Sequence, residues 1–272
     1  DRTDMERSLI GVFVGAGVAE YERIMAARPD DGSVYAATGA ATSIASGRLS
    51  YVLGLQGPCV SCDTACSAAL AACHVGMRAL QLSECAASVV SGVNLLLAPG
   101  ISVSYAIAGM TSMRGCSHTF DARADGYVRA EACGSVVLQQ GVRVKEAVIV
   151  CGSAVRQDGR SASLTAPNGQ AQQGLLRAAF ADGGCPPESV AAVEAHGTGT
   201  ALGDPIETRS LALAVLDARP EAHGAVGVGG VKASVGHAEP AAGLTGLVRL
   251  MLGLMRSYAP ANAQLRLLNP HV

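Results

Sequence analysis

Cys66 is the residue of the sequence best suited to nucleophilic chemistry, because of its place along the chain. It lies in DTACSAAL, residues 63–70, where an expected short strand at residues 58–61 gives way to a long apolar segment at residues 65–82 that favours a helix. A thiol at a helix N-terminus faces unpaired backbone N–H groups and the positive end of the helix dipole, which lower its pKa. Cys66 is therefore a candidate for an activated thiol, although a buried structural cysteine fits the local sequence better.

Two histidines and one lysine add candidate hydrogen-bond donors. His196, in EAHGTGT, and His237, in VKASVGHAEPAAG, each follow a strand-like run and lie beside glycines. Imidazoles at such strand ends can face a cleft, since the small neighbours do not block them. Together with Lys232 and Cys66, they would supply a nucleophile and donors for a developing oxyanion. Cys66, His196 and His237 are far apart in sequence, so only the fold can bring them together.

Positioning such residues requires a scaffold, and the sequence indicates alternating strands and helices. Strands are expected at residues 8–16, 58–61, 85–93, 135–138, 147–154, 190–195 and 226–228. Helices are expected within residues 36–57 and at residues 65–82, 168–182, 205–216 and 241–255. Strands that alternate with helices predict a layered α/β fold.

Composition excludes several classes of protein. The 272 residues carry 20 basic and 22 acidic side chains, so we expect no electrostatic nucleic-acid binding. Hydrophobic residues make up 49% of the chain, which argues against disorder. No run of about 18 apolar residues occurs, so membrane insertion is not expected. The first residues resemble neither a signal nor a transit peptide, which favours the cytoplasm, with an organelle as the other compartment.

The nine cysteines raise a second interpretation of Cys66. An odd number scattered through apolar segments indicates reduced, mostly buried thiols. The spacing of Cys59, Cys62 and Cys66 is compatible with a metal or redox centre. However, no second CxxC or HxxxH pair completes a four-ligand set, so no metal is expected.

Two groups of charged residues are given structural roles. Asp204 and Glu207, around Pro205, are expected to start a helix rather than to act as general acids. The alternating charges of residues 121–129 are expected to build a hydrogen-bonded loop.

The three segments that contain Cys66, His196 and His237 resemble the nucleophile and histidine motifs of β-ketoacyl synthases, both in their order along the chain and in their residues. The resemblance is to the ketosynthase domains of modular polyketide and fatty-acid synthases, and it runs through essentially the whole chain. Further matching segments are TFDARADGYVRAEACG at residues 119–134, GSAVRQDGRSASLTAPNGQAQ at residues 152–172 and GDPIE at residues 203–207.

The resemblance implies a decarboxylative Claisen condensation in polyketide or fatty-acid synthesis. Cys66 would accept an acyl group from the phosphopantetheine arm of an acyl carrier protein. His196 and His237 would stabilise the enolate that forms when a malonyl-type extender loses CO2. Attack of this carbanion on the Cys66 thioester would give the β-ketoacyl product, with no bound metal or redox cofactor.

The resemblance also implies supporting roles. Lys232 would hold the second-histidine segment through an ion pair, for which Glu239 is the candidate partner. Thr198 and Thr200 resemble hydroxyls that hydrogen-bond the phosphopantetheine arm.

The family's architecture gives further expectations. The fold would be thiolase-like, with five αβαβα layers in two pseudo-repeated halves, and the protein would be a homodimer that works with a carrier protein and other synthase domains. Residues 1–272 would be a ketosynthase domain fragment, incomplete at both ends. Residues 1–140 would be the end of the nucleophile-bearing half, and residues 141–272 the half with both histidines.

Three alternatives remain. An inactive ketosynthase-like partner usually lacks the cysteine, whereas this chain has Cys66. A thiolase that uses coenzyme A is weakened by His237, since chain-starting relatives commonly have Asn there. A metal or redox protein using Cys59, Cys62 and Cys66 is the least favoured.

Overall fold

The computed structural model describes residues 5–17, 20–27, 34–141, 148–163, 165–217, 219–220 and 224–272. Its contacts divide the chain into two compact units. The first unit comprises Asp1–Ala108, Arg129–Val144 and Ala238–Thr245, and the second comprises Gly109–Val128, Lys145–His237 and Gly246–Val272.

Strands and helices alternate along the described chain. The strands are β1 (Ile10–Gly15), β2 (Cys59–Cys62), β3 (Ala87–Asn94), β4 (Ala132–Gln139), β5 (Ala192–Glu194) and β6 (Gly227–Gly229). The helices are α1 (Glu20–Ala26), α2 (Ala36–Ala40), α3 (Ser43–Leu53), α4 (Ala68–Gln81), α5 (Pro99–Ile107), α6 (Gly169–Gly183), α7 (Gly203–Leu211), α8 (Lys232–Val235) and α9 (Ala242–Arg256). A π-helical turn, Ala212–Leu216, continues α7.

The first unit contains a sheet in the order β2-β1-β3-β4. β1 is parallel to both β2 and β3, whereas β4 is antiparallel to β3. A strand flanked by parallel neighbours is buried on both faces, which is why β1 is a nearly continuous apolar run, IGVFVG.

The two faces of β1 have different neighbours, because successive side chains of a strand point to opposite sides. Val12 and Val14 belong to a cluster with Leu55, against which α3 residues such as Ala45 pack. On the other face, Phe13 is fully buried and its ring approaches Gly76 of α4. The sheet is therefore covered on both sides of β1.

Close packing of α4 on the sheet depends on small residues. A Cβ atom added at Gly15 of β1 would lie 2.4 Å from the Ala69 backbone nitrogen at the start of α4. Ala68, Ala69 and Ala72 are all fully buried there. The richness of the sequence in Gly and Ala thus brings strand and helix backbones into direct contact.

The second unit has a smaller sheet, in which β5 is parallel to β6. Leu211 of α7 and Ala214 and Val215 of the following turn form its apolar cluster, and Phe180 of α6 packs against them. Asn168 caps α6 by accepting hydrogen bonds from the backbone N–H groups of Gln170 and Ala171.

Most of the elements that the sequence predicts are confirmed, and one is not. The strand expected at residues 147–154 does not form within the described residues 148–154. There the chain packs its backbone against the end of α6, with Gly152 and Gly183 in contact, and pairs with no described strand. Helices α1 and α8 were not predicted from the sequence, and neither was α5. Its Pro99 takes a first-turn position, and Glu20 accepts the backbone N–H groups of Leu97 and Ala98 just before it.

The expectation of mostly buried cysteines was wrong. Cys73 and Cys85 are buried, whereas Cys59, Cys133 and Cys151 are exposed and the other four are partly exposed. An apolar stretch of sequence does not determine whether a particular cysteine side chain points into the core or toward solvent.

Among the described residues, every helix is too short or too polar to cross a lipid bilayer.

We predict that Gly15→Ala lowers the free energy of unfolding by about 1–3 kcal/mol, because the new methyl group forces α4 away from β1. Urea denaturation measures this change. The matched control is Gly47→Ala in α3, where a Cβ atom has no neighbour within 4 Å and helix propensity raises stability by about 0.5–1 kcal/mol. Unchanged stability of Gly15→Ala would show that β1 and α4 are not closely packed.

Candidate active site

Cys66 lies in the first unit, on a tight turn between β2 and α4. The Asp63 carboxylate accepts the Ala65 backbone N–H at 3.1 Å, and the Ser67 hydroxyl donates to the Thr64 carbonyl at 2.8 Å. Ala65 has φ of 53°, in the left-handed region that disfavours residues with a Cβ atom. Backbone strain of this kind is common at functional turns. Cys66 itself is partly buried and stands two residues before α4 begins.

His196 and His237 are brought together in the second unit. Their ring centroids lie 5.6 Å apart with the planes nearly perpendicular. His196 follows β5, and His237 follows α8 after Gly236, whose φ is 80°. The His237 backbone N–H donates to the Val128 carbonyl at 2.7 Å, and the Tyr127 ring meets the imidazole edge-on at 4.8 Å.

Both imidazoles are neutral near pH 7. Desolvation, together with the positive charge of Lys232, lowers the pKa of His196 to about 3. The same two causes, with a contribution from His196, lower the pKa of His237 to about 2. His237 is 3% exposed, which agrees with strong desolvation, whereas His196 keeps substantial solvent contact. The direction of both shifts leaves each ring uncharged near pH 7.

Lys232 is a buried cation that contacts the backbone of His196. Its side chain is in α8, the residue is 5% exposed, and Nζ donates to the His196 carbonyl at 2.5 Å. This bond fixes the backbone of His196 on one side. After desolvation, the ammonium is the second cause that opposes protonation of both imidazoles, since like charges repel.

Glu207 fixes the backbone of His196 on the other side. Its two carboxylate oxygens accept the N–H groups of His196 at 2.5 Å and of Gly197 at 2.8 Å. Desolvation raises the pKa of Glu207, while these hydrogen bonds and Lys232 act in the opposite direction. Glu207 was expected only to start a helix, and its contact with the histidine loop (residues 196–200) was not predicted.

Asp204 holds the rest of this loop. It is fully buried, and it accepts the backbone N–H groups of Gly199 at 3.1 Å and Phe120 at 2.8 Å. Gly197 and Gly199 have φ of 48° and 77°, and a Cβ atom at either would lie less than 3 Å from residues 118–119. The glycines of this segment therefore permit a left-handed backbone packed closely against its neighbour. In the sequence, the signal for these contacts is the pair of acidic residues Asp204 and Glu207 at the start of α7, directly after the glycine-containing loop.

Thr198 and Thr200 lie on the same loop. Thr198 is buried, and the two hydroxyl oxygens are 3.3 Å apart. The Thr200 hydroxyl accepts the Gly203 backbone N–H at 3.1 Å. They belong to the second unit, like the histidines.

Glu239 lies in the first unit, and its observed cationic partner is Arg129. Nε and Nη2 of Arg129 donate to its two carboxylate oxygens at 2.5 and 3.0 Å. Arg129 also donates to Glu20 at 3.0 Å and to the Ser102 hydroxyl at 2.7 Å. The pairing of Glu239 with Lys232 stays a prediction, and Arg129 was assigned from sequence only to a loop.

The sequence matches two family models along almost all of its length. Residues 1–142 match the beta-ketoacyl synthase N-terminal domain, and residues 147–266 match the C-terminal domain. The chain belongs to the β-ketoacyl synthase family.

Curated relatives of this ketosynthase chain are polyketide synthases. It is 42% identical over 275 residues to one phenolphthiocerol/phthiocerol polyketide synthase polypeptide of Mycobacterium tuberculosis, an alignment that covers 98% of the chain and 14% of that relative. It is 43% identical over 270 residues to another polypeptide of the same synthase, covering 96% of the chain and 12% of the relative. The chain thus spans about a seventh of the length of these relatives.

Solved ketosynthase structures share the fold. The ketosynthase from module 6 of the bacillaene synthase of Bacillus subtilis 168 is 31% identical with a TM-score of 0.88, covering 100% of the chain and 46% of that structure. An oxazolomycin ketosynthase domain from Streptomyces albus JA3453 is 32% identical with a TM-score of 0.89, covering 100% of the chain and 48% of that structure. The predicted α/β, thiolase-like fold is confirmed.

The alternative of a metal or redox centre at Cys59, Cys62 and Cys66 is not favoured. Cys59 and Cys62 are the two ends of β2, and residues three apart in a strand point to opposite faces. Within the part of the chain that the structure describes, these three thiols do not converge on one point.

We predict that Lys232→Gln raises the pKa of both His196 and His237, because it removes a positive charge that opposes their protonation. NMR titration of the histidine ring signals follows the two midpoints, which should move up toward 6.5. Arg209→Gln is the control, since it removes a positive charge from an exposed position. Midpoints that stay in place, or move down, in Lys232→Gln would contradict this role of the lysine.

We predict that Glu207→Gln lowers the free energy of unfolding by about 1–3 kcal/mol, because one backbone N–H then faces an amide group that cannot accept it. Thermal and urea denaturation measure the loss. Glu84→Gln makes the same change at an exposed position and should leave stability within about 0.5 kcal/mol. Equal stability of the two variants would mean that Glu207 does not hold the loop.

Proposed function

We propose that the chain is the ketosynthase of a polyketide synthase and carries out a decarboxylative Claisen condensation. The observation that carries the proposal is the pair of neutral imidazoles, His196 and His237, whose rings lie 5.6 Å apart. Membership of the β-ketoacyl synthase family and the polyketide synthase relatives support the same reaction.

In the proposed reaction, the Cys66 thiolate attacks an acyl thioester and releases the carrier's thiol. The strained turn and the helix that follows support this role, because the start of a helix favours an anionic sulfur. A malonyl-type thioester then loses CO2, which leaves an enolate. The enolate carbon attacks the Cys66 acyl carbonyl, and collapse of the adduct releases the β-ketoacyl product and restores the thiolate.

The histidines would donate hydrogen bonds to the enolate oxygen. A neutral imidazole carries one N–H donor, and it gains no proton from the substrate when its pKa is far below 7. Donors that are already in place stabilise developing charge more than solvent does. Lys232 would act as a positioning residue through the His196 carbonyl, to which it donates.

Thr198 and Thr200 would bind the phosphopantetheine arm of the substrate. Their hydroxyls lie close together, one buried and one partly exposed, on the loop that also carries His196. In this proposal the substrates arrive on an acyl carrier protein, and no metal or redox cofactor takes part.

The wider setting is also proposed. The protein would act as a homodimer in the cytoplasm, with an acyl carrier protein and other synthase domains as partners. Residues 1–140 would form part of the nucleophile-bearing half and residues 141–272 the half with both histidines. The two family models, which meet between residues 142 and 147, support that division.

The test uses the protein in its full natural length with acyl and malonyl thioesters. We expect one acyl group on the peptide that contains Cys66, and none in Cys66→Ala. Cys62→Ser, which changes a thiol on the neighbouring β2, should keep normal acylation. His196→Ala and His237→Ala should still be acylated but lose malonyl decarboxylation by about 100-fold or more.

Mass spectrometry locates the acyl group, and CO2 release reports decarboxylation. Acylation at another residue would overturn the assignment of Cys66. Decarboxylation at the normal rate in both histidine variants would overturn the role of the imidazoles.

A further inference from the structure

A pair of thiols lies in the second unit, among residues that the proposed condensation does not use. Cys151 belongs to the irregular segment that was expected to be a strand, and Cys185 lies two residues after α6 ends. The neighbouring Cys151 thiol raises the pKa of the Cys185 thiol. The Cys185 sulfur is 3.4 Å from the Gly183 carbonyl oxygen.

The backbones on either side hold the two cysteines together. A Cβ atom added at Gly152 would lie 2.4 Å from the Gly183 nitrogen, so the two chains touch without intervening side chains. A Cβ atom at Gly183 would lie 3.3 Å from the Cys151 Cβ. Next to these glycines, the Ser153 backbone N–H donates to the Asp182 carboxylate at 2.9 Å.

The local backbone also fixes the direction of Cys185. Gly184 has φ of 58°, which turns the chain at the end of α6, and the Cys185 N–H donates to the Phe180 carbonyl at 3.1 Å. A disulfide of ordinary length places its two sulfurs about 2.05 Å apart. Rotation of the two side chains would bring the neighbouring sulfurs to that distance.

Exposure makes the pair accessible to an oxidant. Cys151 is exposed and Cys185 partly exposed, whereas Cys73 and Cys85 are buried. An exposed thiol is the first to react with a small oxidant, and a neighbouring thiol then resolves the product.

We propose that Cys151 and Cys185 form a reversible disulfide when the protein meets a peroxide. The Cys151 thiolate attacks one oxygen of hydrogen peroxide, which gives a sulfenic acid and hydroxide. The Cys185 sulfur then attacks the Cys151 sulfur, a new S–S bond forms, and the hydroxyl group leaves as water. Two thiols and one peroxide thereby become one disulfide and two waters.

The disulfide would join Cys151, at the start of the segment 151–168, to Cys185, which follows the end of α6. The start of α6 is already joined to this segment, because Asn168 donates to the Asp158 carbonyl at 2.8 Å. Oxidation would therefore close a covalent ring of residues 151–185 around an existing hydrogen-bonded contact. This inference does not depend on the proposed condensation.

The experiment treats the full-length protein with a small excess of hydrogen peroxide and digests it with trypsin without reduction. Cleavage after Lys and Arg leaves Cys151 alone in the peptide 146–156 and Cys185 alone in the peptide 178–209. We expect these two peptides to be linked, with a mass about 2 Da below their sum, and to separate after dithiothreitol. The oxidised protein should melt about 5–10 °C higher than the reduced protein.

Cys151→Ser and Cys185→Ser should each abolish the linked peptide and the rise in melting temperature. Cys133→Ser, at an exposed thiol on β4, should change neither. Sulfinic acid on Cys151 without a linked peptide, or a link from either cysteine to a different thiol, would overturn the proposal. The peptide result comes from the unmodified sequence, so it decides the question even where a variant folds poorly.

Discussion

The backbone of His196 is fixed at both of its polar groups, and the arrangement of the candidate site depends on this. Glu207 accepts its N–H, and Lys232 donates to its carbonyl. The position of an imidazole is only as well defined as the backbone that carries it. The first turns of α7 and the short helix α8 thus fix one residue of a glycine-rich loop.

Fixing the loop in this way requires charged groups in a region with little water. Asp204 is fully buried and Lys232 nearly so, and burial of such groups is costly unless each is paired. Desolvation raises the pKa of Asp204, while hydrogen bonds from the loop and the charge of Lys232 lower it. Desolvation, together with the same ammonium, keeps both imidazoles neutral. One cation therefore influences the position of the loop and the protonation state of its histidines.

In the first unit, small residues and one arginine hold the elements around Cys66 and Glu239 in place. Gly15 and the alanines of α4 let the helix that follows Cys66 lie directly on the sheet. Arg129 donates hydrogen bonds both to Glu20 and to Glu239. Glu20 in turn accepts the backbone N–H groups just before α5. Bidentate pairing with a carboxylate is a contact that Arg makes and Lys does not, because only the planar guanidinium offers two parallel donors.

The sequence by itself determined the fold class, most of the element order and the identity of the motifs around Cys66, His196 and His237. These follow from short-range patterns: apolar runs, glycine-flanked histidines and a nucleophile before a long helix. The sequence did not reveal that Glu207 and Asp204 hold the histidine loop, that Arg129 binds Glu239, or that Cys151 meets Cys185. It also predicted a strand at residues 147–154 that the structure lacks in its described part. Only the tertiary structure decided these contacts, because hydrogen bonds and strand pairing depend on partners distant in sequence, whereas local propensity acts over a few residues.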